Sequence, residues 1–339
     1  MINTLIVDDS SMVRDILRDF LEEEGSFKII GEAVDGEDGV EKILSLNPDL
    51  VTMDLEMPKM NGLQAIETVM KKISVPIVVI TSHDTAKTAY EATIKGALEF
   101  YPKDLFTSDL SPAKRKEIYE TLKRISGVKS RANIGAAEPP SAETEKPEKR
   151  MIRAVVIASS TGGPKALSSF FSAFPGDFPV PVIVVQHNTI GFDESFAQWL
   201  NEFTALRVKL AEEGEAPAAG NIYVAKTGRH LELRAAGQGL CLRYNNDEPE
   251  QNQKPAADVL FRSAAESLKN SVISVVLTGM GSDGAAGTKK IKEMGGITLA
   301  QDEKTSLIYG MPKAAAETGC VDMVMPLDRI PEELVRLTK

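Results

Sequence analysis

The chain is 339 residues long and 42% hydrophobic, too long for one ordinary domain and apolar enough for two cores of roughly 100–200 residues each. Its net charge of −10 argues against a surface built to wrap nucleic-acid phosphates, and no run approaches the ~18 apolar residues of a membrane span. Cys241 and Cys320 form no CxxC pair, and Met1-Ile2-Asn3-Thr4 lacks a basic leader, so a cytoplasmic protein without structural disulfides is expected.

From the amino terminus, short apolar runs alternate with amphipathic stretches, the pattern of a doubly wound parallel α/β sheet. Leu5-Ile6-Val7 runs into Asp8-Asp9-Ser10, Leu50-Val51-Thr52-Met53 into Asp54, and Pro76-Ile77-Val78-Val79-Ile80 into Thr81-Ser82. Helices are expected over residues 11–24 and 36–45, and Lys103 follows a further strand. Open α/β sheets keep their ligand sites at the carboxyl ends of strands. Asp8, Asp9 and Asp54 gathered there suit a hard cation such as Mg²⁺. Asp54 would then attack a phosphoryl donor and Lys103 would pair with the phosphoryl oxygens. One aspartate at a strand end is an ordinary solvated residue; functional side chains on successive strand ends are not.

Residues 1 to about 125 resemble a two-component receiver domain. The likeness rests on Val7-Asp8-Asp9-Ser10, on Met53-Asp54-Leu55-Glu56-Met57-Pro58-Lys59-Met60-Asn61-Gly62, and on Thr81-Ser82 and Lys103. It implies a flavodoxin-like fold with Asp54 as phospho-acceptor and Mg²⁺ required for phosphorylation. Asp9 and Asp54 would bind the metal directly and Asp8 through water, with Glu56 counted in the same set. It also implies Thr81 as the hydroxyl that senses the phosphoryl group, Lys103 as its counter-charge and Phe100 as the aromatic switch. One position departs from the pattern: Asp104, not proline, follows Lys103. A cis bond before a non-proline residue costs ~2.5–4 kcal/mol, so a trans bond or a reshaped loop is expected there.

From about residue 126 to 150 the character changes. Residues 137–150 carry three prolines and no apolar period, the composition of a hydrated linker. The expected division is therefore 1–125, a linker over 126–150, and a second α/β unit over 151–339.

In that second unit Ala154-Val155-Val156-Ile157-Ala158 reads as a strand buried on both faces, ending in Ser159-Ser160-Thr161-Gly162-Gly163-Pro164. Further strands are expected near residues 182–186, 272–278 and 297–301. Ser160 thus presents a hydroxyl at a sheet's carboxyl edge, although a Ser-Thr-Gly-Gly turn taken alone is more often a helix cap. Three histidines exist. His83 belongs to the first unit, His187 follows a strand, and His230 lies less obviously at that edge, so His187 is the favoured base for Ser160. Asp283, in the turn Gly279-Met280-Gly281-Ser282-Asp283-Gly284, would orient the imidazole, and the turn's N–H groups suit an oxyanion. A rival reading stands beside this. Gly279-x-Gly281-x-x-Gly284 follows a strand and precedes a helix, with Asp302 about twenty residues on, which fits a dinucleotide site. The second unit would then be a cofactor-binding module; a non-catalytic receptor-binding scaffold is the remaining alternative.

Residues 151–339 resemble the catalytic domain of the chemotaxis methylesterase (CheB) family, a Rossmann-like domain, and the order receiver–linker–esterase matches that family. The likeness rests on Ala158-Ser159-Ser160-Thr161-Gly162-Gly163, Gln186-His187, Gly191-Phe192, Leu277 to Ala285, Ala300 to Ser306, and Tyr309-Gly310-Met311-Pro312. It implies Ser160 as nucleophile, His187 as base and Asp283 as its orienter, with Thr161 and the backbone at Met280 close by and no cofactor for the esterase. The implied function is a phosphorylation-activated serine esterase that demethylates glutamate methyl esters, and deamidates glutamines, on methyl-accepting chemotaxis receptors. The implied phosphodonor is the chemotaxis histidine kinase CheA. Three rim segments depart from the family: Asn188-Thr189-Ile190 stands for Met-Pro-Pro, Lys226-Thr227 for Pro-Gly, and Gln253-Lys254-Pro255 for His-Arg-Pro.

Overall fold

The computed structural model describes residues 1–82, 86–106, 110–128, 151–237 and 239–339. They fall into two compact units, Met1–Asn133 and Ile134–Lys339. His83 and the linker expected over 126–150, from residue 129 on, lie outside the described residues.

In the first unit β1 (Ile2–Val7), α1 (Ser11–Glu23), β2 (Phe27–Ala33), α2 (Gly36–Leu46), β3 (Leu50–Met53) and α3 (Gly62–Met70) are followed by β4 (Ile77–Thr81), α4 (Ala86–Lys95), β5 (Glu99–Pro102) and α5 (Pro112–Ser126). The strands form one parallel sheet in the order β2-β1-β3-β4-β5. Every residue of β3 and β4 is buried, because helices cover both faces. The sequence marks the helix starts. Ser10 accepts from Val13 N–H, Asp35 from Asp38 N–H, and Asn61 and Gln64 form a reciprocal capping box. Connections leave β1 and β3 in opposite directions, so a crevice opens at their carboxyl ends, where Asp8 and Asp54 stand. Gly62 closes that corner: a Cβ there would meet the Asp54 carbonyl oxygen at 1.9 Å.

The second unit runs β6 (Ala154–Ser159), α6 (Gly163–Ser172), β7 (Val182–Gln186), α7 (Asp193–Leu200), β8 (Arg207–Leu210), β9 (Asn221–Val224), β10 (His230–Ala236) and β11 (Gly239–Asn245). It continues with α8 (Ala257–Leu268), β12 (Val272–Val276), α9 (Ala285–Glu293), β13 (Ile297–Gln301), α10 (Met311–Glu317), β14 (Met323–Met325) and α11 (Ile330–Thr338). Seven strands form a parallel sheet in the order β14-β13-β12-β6-β7-β9-β8. The antiparallel hairpin β10–β11 stands apart and packs Leu231, Leu233 and Leu242 into the same core as Leu260, Phe261 and Ala264 of α8. Ser263 Oγ accepts from Leu233 N–H at 3.0 Å and Ser267 Oγ donates to Leu233 O at 3.0 Å, which fixes the hairpin to α8. The strand order reverses between β6 and β12, and the loops after these two strands carry Ser160 and Asp283.

Candidate active site

In the first unit the carboxylates of Asp8, Asp9 and Asp54 offer oxygens that all lie within 4.8 Å of one another. Asp8 and Asp54 are buried and Asp9 is exposed. Lys103 Nζ stands 2.8 Å from Asp54 Oδ2 and 2.9 Å from Asp8 Oδ2, and Leu55 N–H donates to Asp54 Oδ1 at 2.8 Å. Burial is the main reason that the Asp54 carboxyl is pushed up to about 6; Lys103 opposes the rise and the charge of Asp8 adds to it. Burial also works against the charge on Lys103, but its bonds to Asp54 and Asp8 prevail and hold the ammonium above its usual value.

Of the remaining receiver residues, Thr81 is buried at the end of β4 beside Pro102. Phe100 is buried on β5, edge-on to Tyr90 with ring centroids 4.9 Å apart. Glu56 is exposed and its carboxylate stands outside the group of three acids. Lys103–Asp104 is trans, since Lys254–Pro255 is the one cis bond among the described residues. A 3-10 turn over Lys103–Phe106 still delivers the ammonium to Asp54.

In the second unit Ser159 and Gln186 are register partners on β6 and β7, so Ser160 and His187 leave the sheet side by side. His187 N–H donates to Ser159 O at 3.0 Å. Its Nε2 meets Asp283 Oδ2 at 2.8 Å, with His187 7% and Asp283 2% exposed in their side chains. The same carboxylate accepts Ala257 N–H on Oδ2 at 2.6 Å and Asp258 N–H on Oδ1 at 2.9 Å, both from the start of α8. Burial alone would raise the Asp283 carboxyl. The bond and charge of His187 and the two N–H donors override it and hold the carboxyl below its usual range. An ionised Asp283 only accepts, so the ring proton sits on Nε2 and donates to it, which in the neutral ring leaves His187 Nδ1 bare. That nitrogen is buried and has no hydrogen-bond partner among the described residues. The ring is turned opposite to the usual triad, in which the acid holds Nδ1.

Two polar residues to which the sequence alone assigns no role hold the Ser160 turn. Gln186 Nε2 donates to Ser160 O and His187 O, each at 3.0 Å, while its Oε1 accepts from Ser159 Oγ at 2.7 Å. Gly163 leaves room for this amide: a Cβ would come 1.9 Å from Gln186 Oε1. On the other side Thr278 O accepts Ser160 N–H at 3.0 Å and Thr278 Oγ1 donates to Thr161 O at 3.1 Å. Gln301 Oε1 in turn accepts Thr278 N–H at 2.8 Å. A polar residue closing each apolar run, Val182–Gln186 and Ile297–Gln301, was the available signal. Met280 lies beside Gly279, whose N–H and carbonyl tie the loop to Ile308, Gly310 and Met311.

The three departing rim segments are joined through Asp193 and Gly228. Asp193 accepts Thr227 N–H at 2.8 Å and Thr227 Oγ1–H at 2.5 Å and faces Asn188, and Gly228 N–H donates to Lys254 O at 2.9 Å. The glycine-rich turn offers little to a dinucleotide. Its Asp283 is engaged by His187 and α8, and Asp302 Oδ1 accepts from Thr305 N–H at 2.9 Å and Thr305 Oγ1–H at 2.6 Å.

A family model described as CheB methylesterase matches residues 155–334, more than half of the chain. The chain belongs to the CheB methylesterase family. A response regulator receiver domain model matches residues 4–113. The protein-glutamate methylesterase/protein-glutamine glutaminase of Pyrococcus abyssi is 40% identical over 99% of this chain and 93% of its own length. That of Clostridium acetobutylicum is 39% identical over 100% of this chain and 98% of its own. The crystal structure of the Thermotoga maritima CheB methylesterase catalytic domain superposes with a TM-score of 0.54 at 41% identity, covering 55% of this chain and 98% of that one. The dinucleotide reading therefore gives way to a methylesterase domain preceded by a receiver.

Behind Asp283 lies a second buried acid. Asp258, 1% exposed, accepts Gly287 N–H on Oδ1 at 2.6 Å and Gln251 Nε2 on Oδ2 at 2.8 Å. Burial first, and then the charge of Asp283, push its carboxyl up to about 6, against the Gly287 bond and Arg262. The folded chain thus binds an extra proton between the ordinary carboxylate value near about 4 and the raised one, so this group's contribution to stability falls as pH rises through that interval. Asp258→Asn keeps an acceptor for Gly287 and removes the charge. It is expected to flatten the loss of stability between about pH 4 and pH 7, each pKa unit being worth about 1.4 kcal/mol. Urea unfolding of both proteins across that range measures the difference.

Proposed function

We propose that the second unit hydrolyses glutamate methyl esters on methyl-accepting chemotaxis receptors in the cytoplasm, with Ser160 as nucleophile, and that phosphorylation of Asp54 raises this activity. The division into a receiver over 1–125, a linker over 126–150 and a catalytic domain over 151–339 is part of the proposal. The supporting observation is the His187 ring, fixed at Nε2 by Asp283 and without a partner at Nδ1, on a residue that leaves β7 as Ser160 leaves the neighbouring β6.

The chemistry follows from that polarity. Ser160 Oγ gives its proton to His187 Nδ1 as the oxygen bonds to the ester carbonyl carbon, and Asp283 stabilises the imidazolium. Backbone N–H groups of the Thr161 turn and the Met280 loop take the oxyanion. Collapse of the tetrahedral intermediate passes the proton from His187 to the methoxy oxygen, and methanol leaves. His187 then takes a proton from a water that attacks the acyl-Ser160 carbonyl. It returns the proton to Ser160 Oγ as the acyl C–O bond breaks, and the glutamate side chain leaves as its acid, which ionises in water. A glutamine side chain follows the same course with ammonia as leaving group, which makes deamidation the second activity of one site. No cofactor enters these steps.

In the receiver, three converging carboxylates carry more negative charge than the one Lys103 ammonium offsets, and hard oxygen donors fit Mg²⁺. Asp8, Asp9 and Asp54 would hold it, and when bound it supplies positive charge for the phosphoryl oxygens. Asp54 is then the acceptor, Lys103 pairs with the transferred group, and Thr81 and Phe100 relay its presence. A histidine kinase of the CheA type is the expected donor.

Ser160→Ala is expected to lower methanol release from methylated receptor membranes by about 10³-fold or more, and Asp283→Asn by less, since the serine carries the covalent step. Undiminished release from folded Ser160→Ala would refute the serine mechanism. A small-molecule phosphodonor is expected to label the chain only with Mg²⁺ present and to speed methanol release, and Asp54→Asn to lose both responses. Labelling that is equal in chelator, or that survives in Asp54→Asn, would refute the receiver assignment.

A further inference from the structure

We propose that His230 is a positioning residue for Asp283, acting through the backbone at the start of α8. The inference rests on the reading of Asp283 as the group that orients His187. His230 is completely buried at the first position of β10, outside the parallel sheet that carries Ser160, His187 and Asp283. Its Nδ1 lies 3.1 Å from Ala256 N, and its Nε2 lies 3.1 Å from Glu248 O. A backbone N–H only donates and a carbonyl only accepts, so the ring is neutral with its proton on Nε2.

That tautomer matters because Ala256 is the residue from which α8 starts. The first N–H groups of a helix have no partner within it. In α8 the N-cap residue, Ala256, has no side chain to supply one. The acceptors come from elsewhere: Ala256 N–H goes to His230 Nδ1, Ala257 N–H to Asp283 Oδ2, and Asp258 N–H to Asp283 Oδ1. Asp283 Oδ2 is also the oxygen that holds His187 Nε2. A rotation of the first turn of α8 therefore moves the donor that shares an oxygen with the base. His230 fixes that rotation from the β10 side, and through Glu248 it ties the turn to the loop before the helix. The imidazole touches none of the reacting groups; its role is to set where Asp283 aims.

Four variants of the full-length chain test this: His230→Leu, His230→Asn, His230→Gln and Asp283→Asn. His230→Leu fills the space and leaves Ala256 N–H unpaired. His230→Asn puts an amide oxygen near the place of Nδ1. His230→Gln reaches toward Glu248 and leaves Ala256 N–H unpaired. For methanol release from methylated receptor membranes, His230→Leu is expected to lower kcat at least about tenfold, the rate equivalent of one unpaired buried N–H, with KM changed less than about twofold. It should also move the downfield proton resonance of the His187–Asp283 bond, and His230→Asn should restore most of kcat and the resonance. Folded His230→Leu with kcat and resonance unchanged would overturn the proposal. So would equal losses in Leu and Asn with the resonance unmoved, because a merely structural histidine gives that result. If His230→Leu fails to fold by circular dichroism, Asn is expected to outpace Gln by about tenfold, and equal rates would overturn the proposal. Asp283→Asn keeps the two readings apart: full activity there refutes the triad itself, whereas a loss there beside an unaffected His230→Leu refutes only the role of His230.

Discussion

A single carboxylate, that of Asp283, has to remain ionised where almost no water reaches it. Isolated, such a charge would take up a proton, since burial alone raises its affinity. Two N–H groups at the start of α8 and the His187 ring keep it charged. Much else in the second unit depends on this. The helix must begin where those donors face β12, the hairpin must brace the helix, and Asp258 must tolerate a like charge behind it. The His187 ring inherits its tautomer from this arrangement, so the unpartnered Nδ1 is a consequence of how one buried charge is satisfied.

Both units solve the same placement problem with the same device. In a parallel sheet covered on both faces, polar side chains find room at the carboxyl ends of strands, and the widest gap opens where the strand order reverses. In the first unit this gathers Asp8, Asp9, Asp54 and Lys103 between β1 and β3. In the second it brings the loops of β6 and β12 together around His187 from β7. The two sites differ in how charge is balanced. The receiver keeps surplus negative charge, offset by Lys103 and suited to an added cation, whereas the second unit pairs its acid internally with His187 and two backbone N–H groups.

The strands carrying these groups were legible because buried parallel strands read as unbroken β-branched runs, and the helix starts because Ser10, Asp35 and Asn61 are cap residues. The places of Ser160 and His187 at strand ends, and of Asp283 in the turn after β12, were legible for the same reason. Less visible were short edge strands such as β8 and β14, whose half-exposed residues carry little apolar pattern. The expected strand over 272–278 ends at Val276, because the side chain and backbone of Thr278 turn to Thr161, Ile308 and Gln301. Contacts of that kind join residues as far as 117 positions apart, and no local spacing announces them. Gln186 and His230 were hidden in the same way. One closes an apolar run as an ordinary strand end; the other looked peripheral until the fold placed its ring against α8.

The protonation of His187 is the point on which the chemistry turns. Nitrogen-15 shifts of the His187 ring in the full-length protein near neutral pH measure it directly. A protonated Nε2 and a bare Nδ1 are expected, with the Nε2 proton far downfield from its bond to Asp283. A ring protonated on Nδ1 instead, with Nε2 bare, would contradict the assignment of His187 as the base held by Asp283.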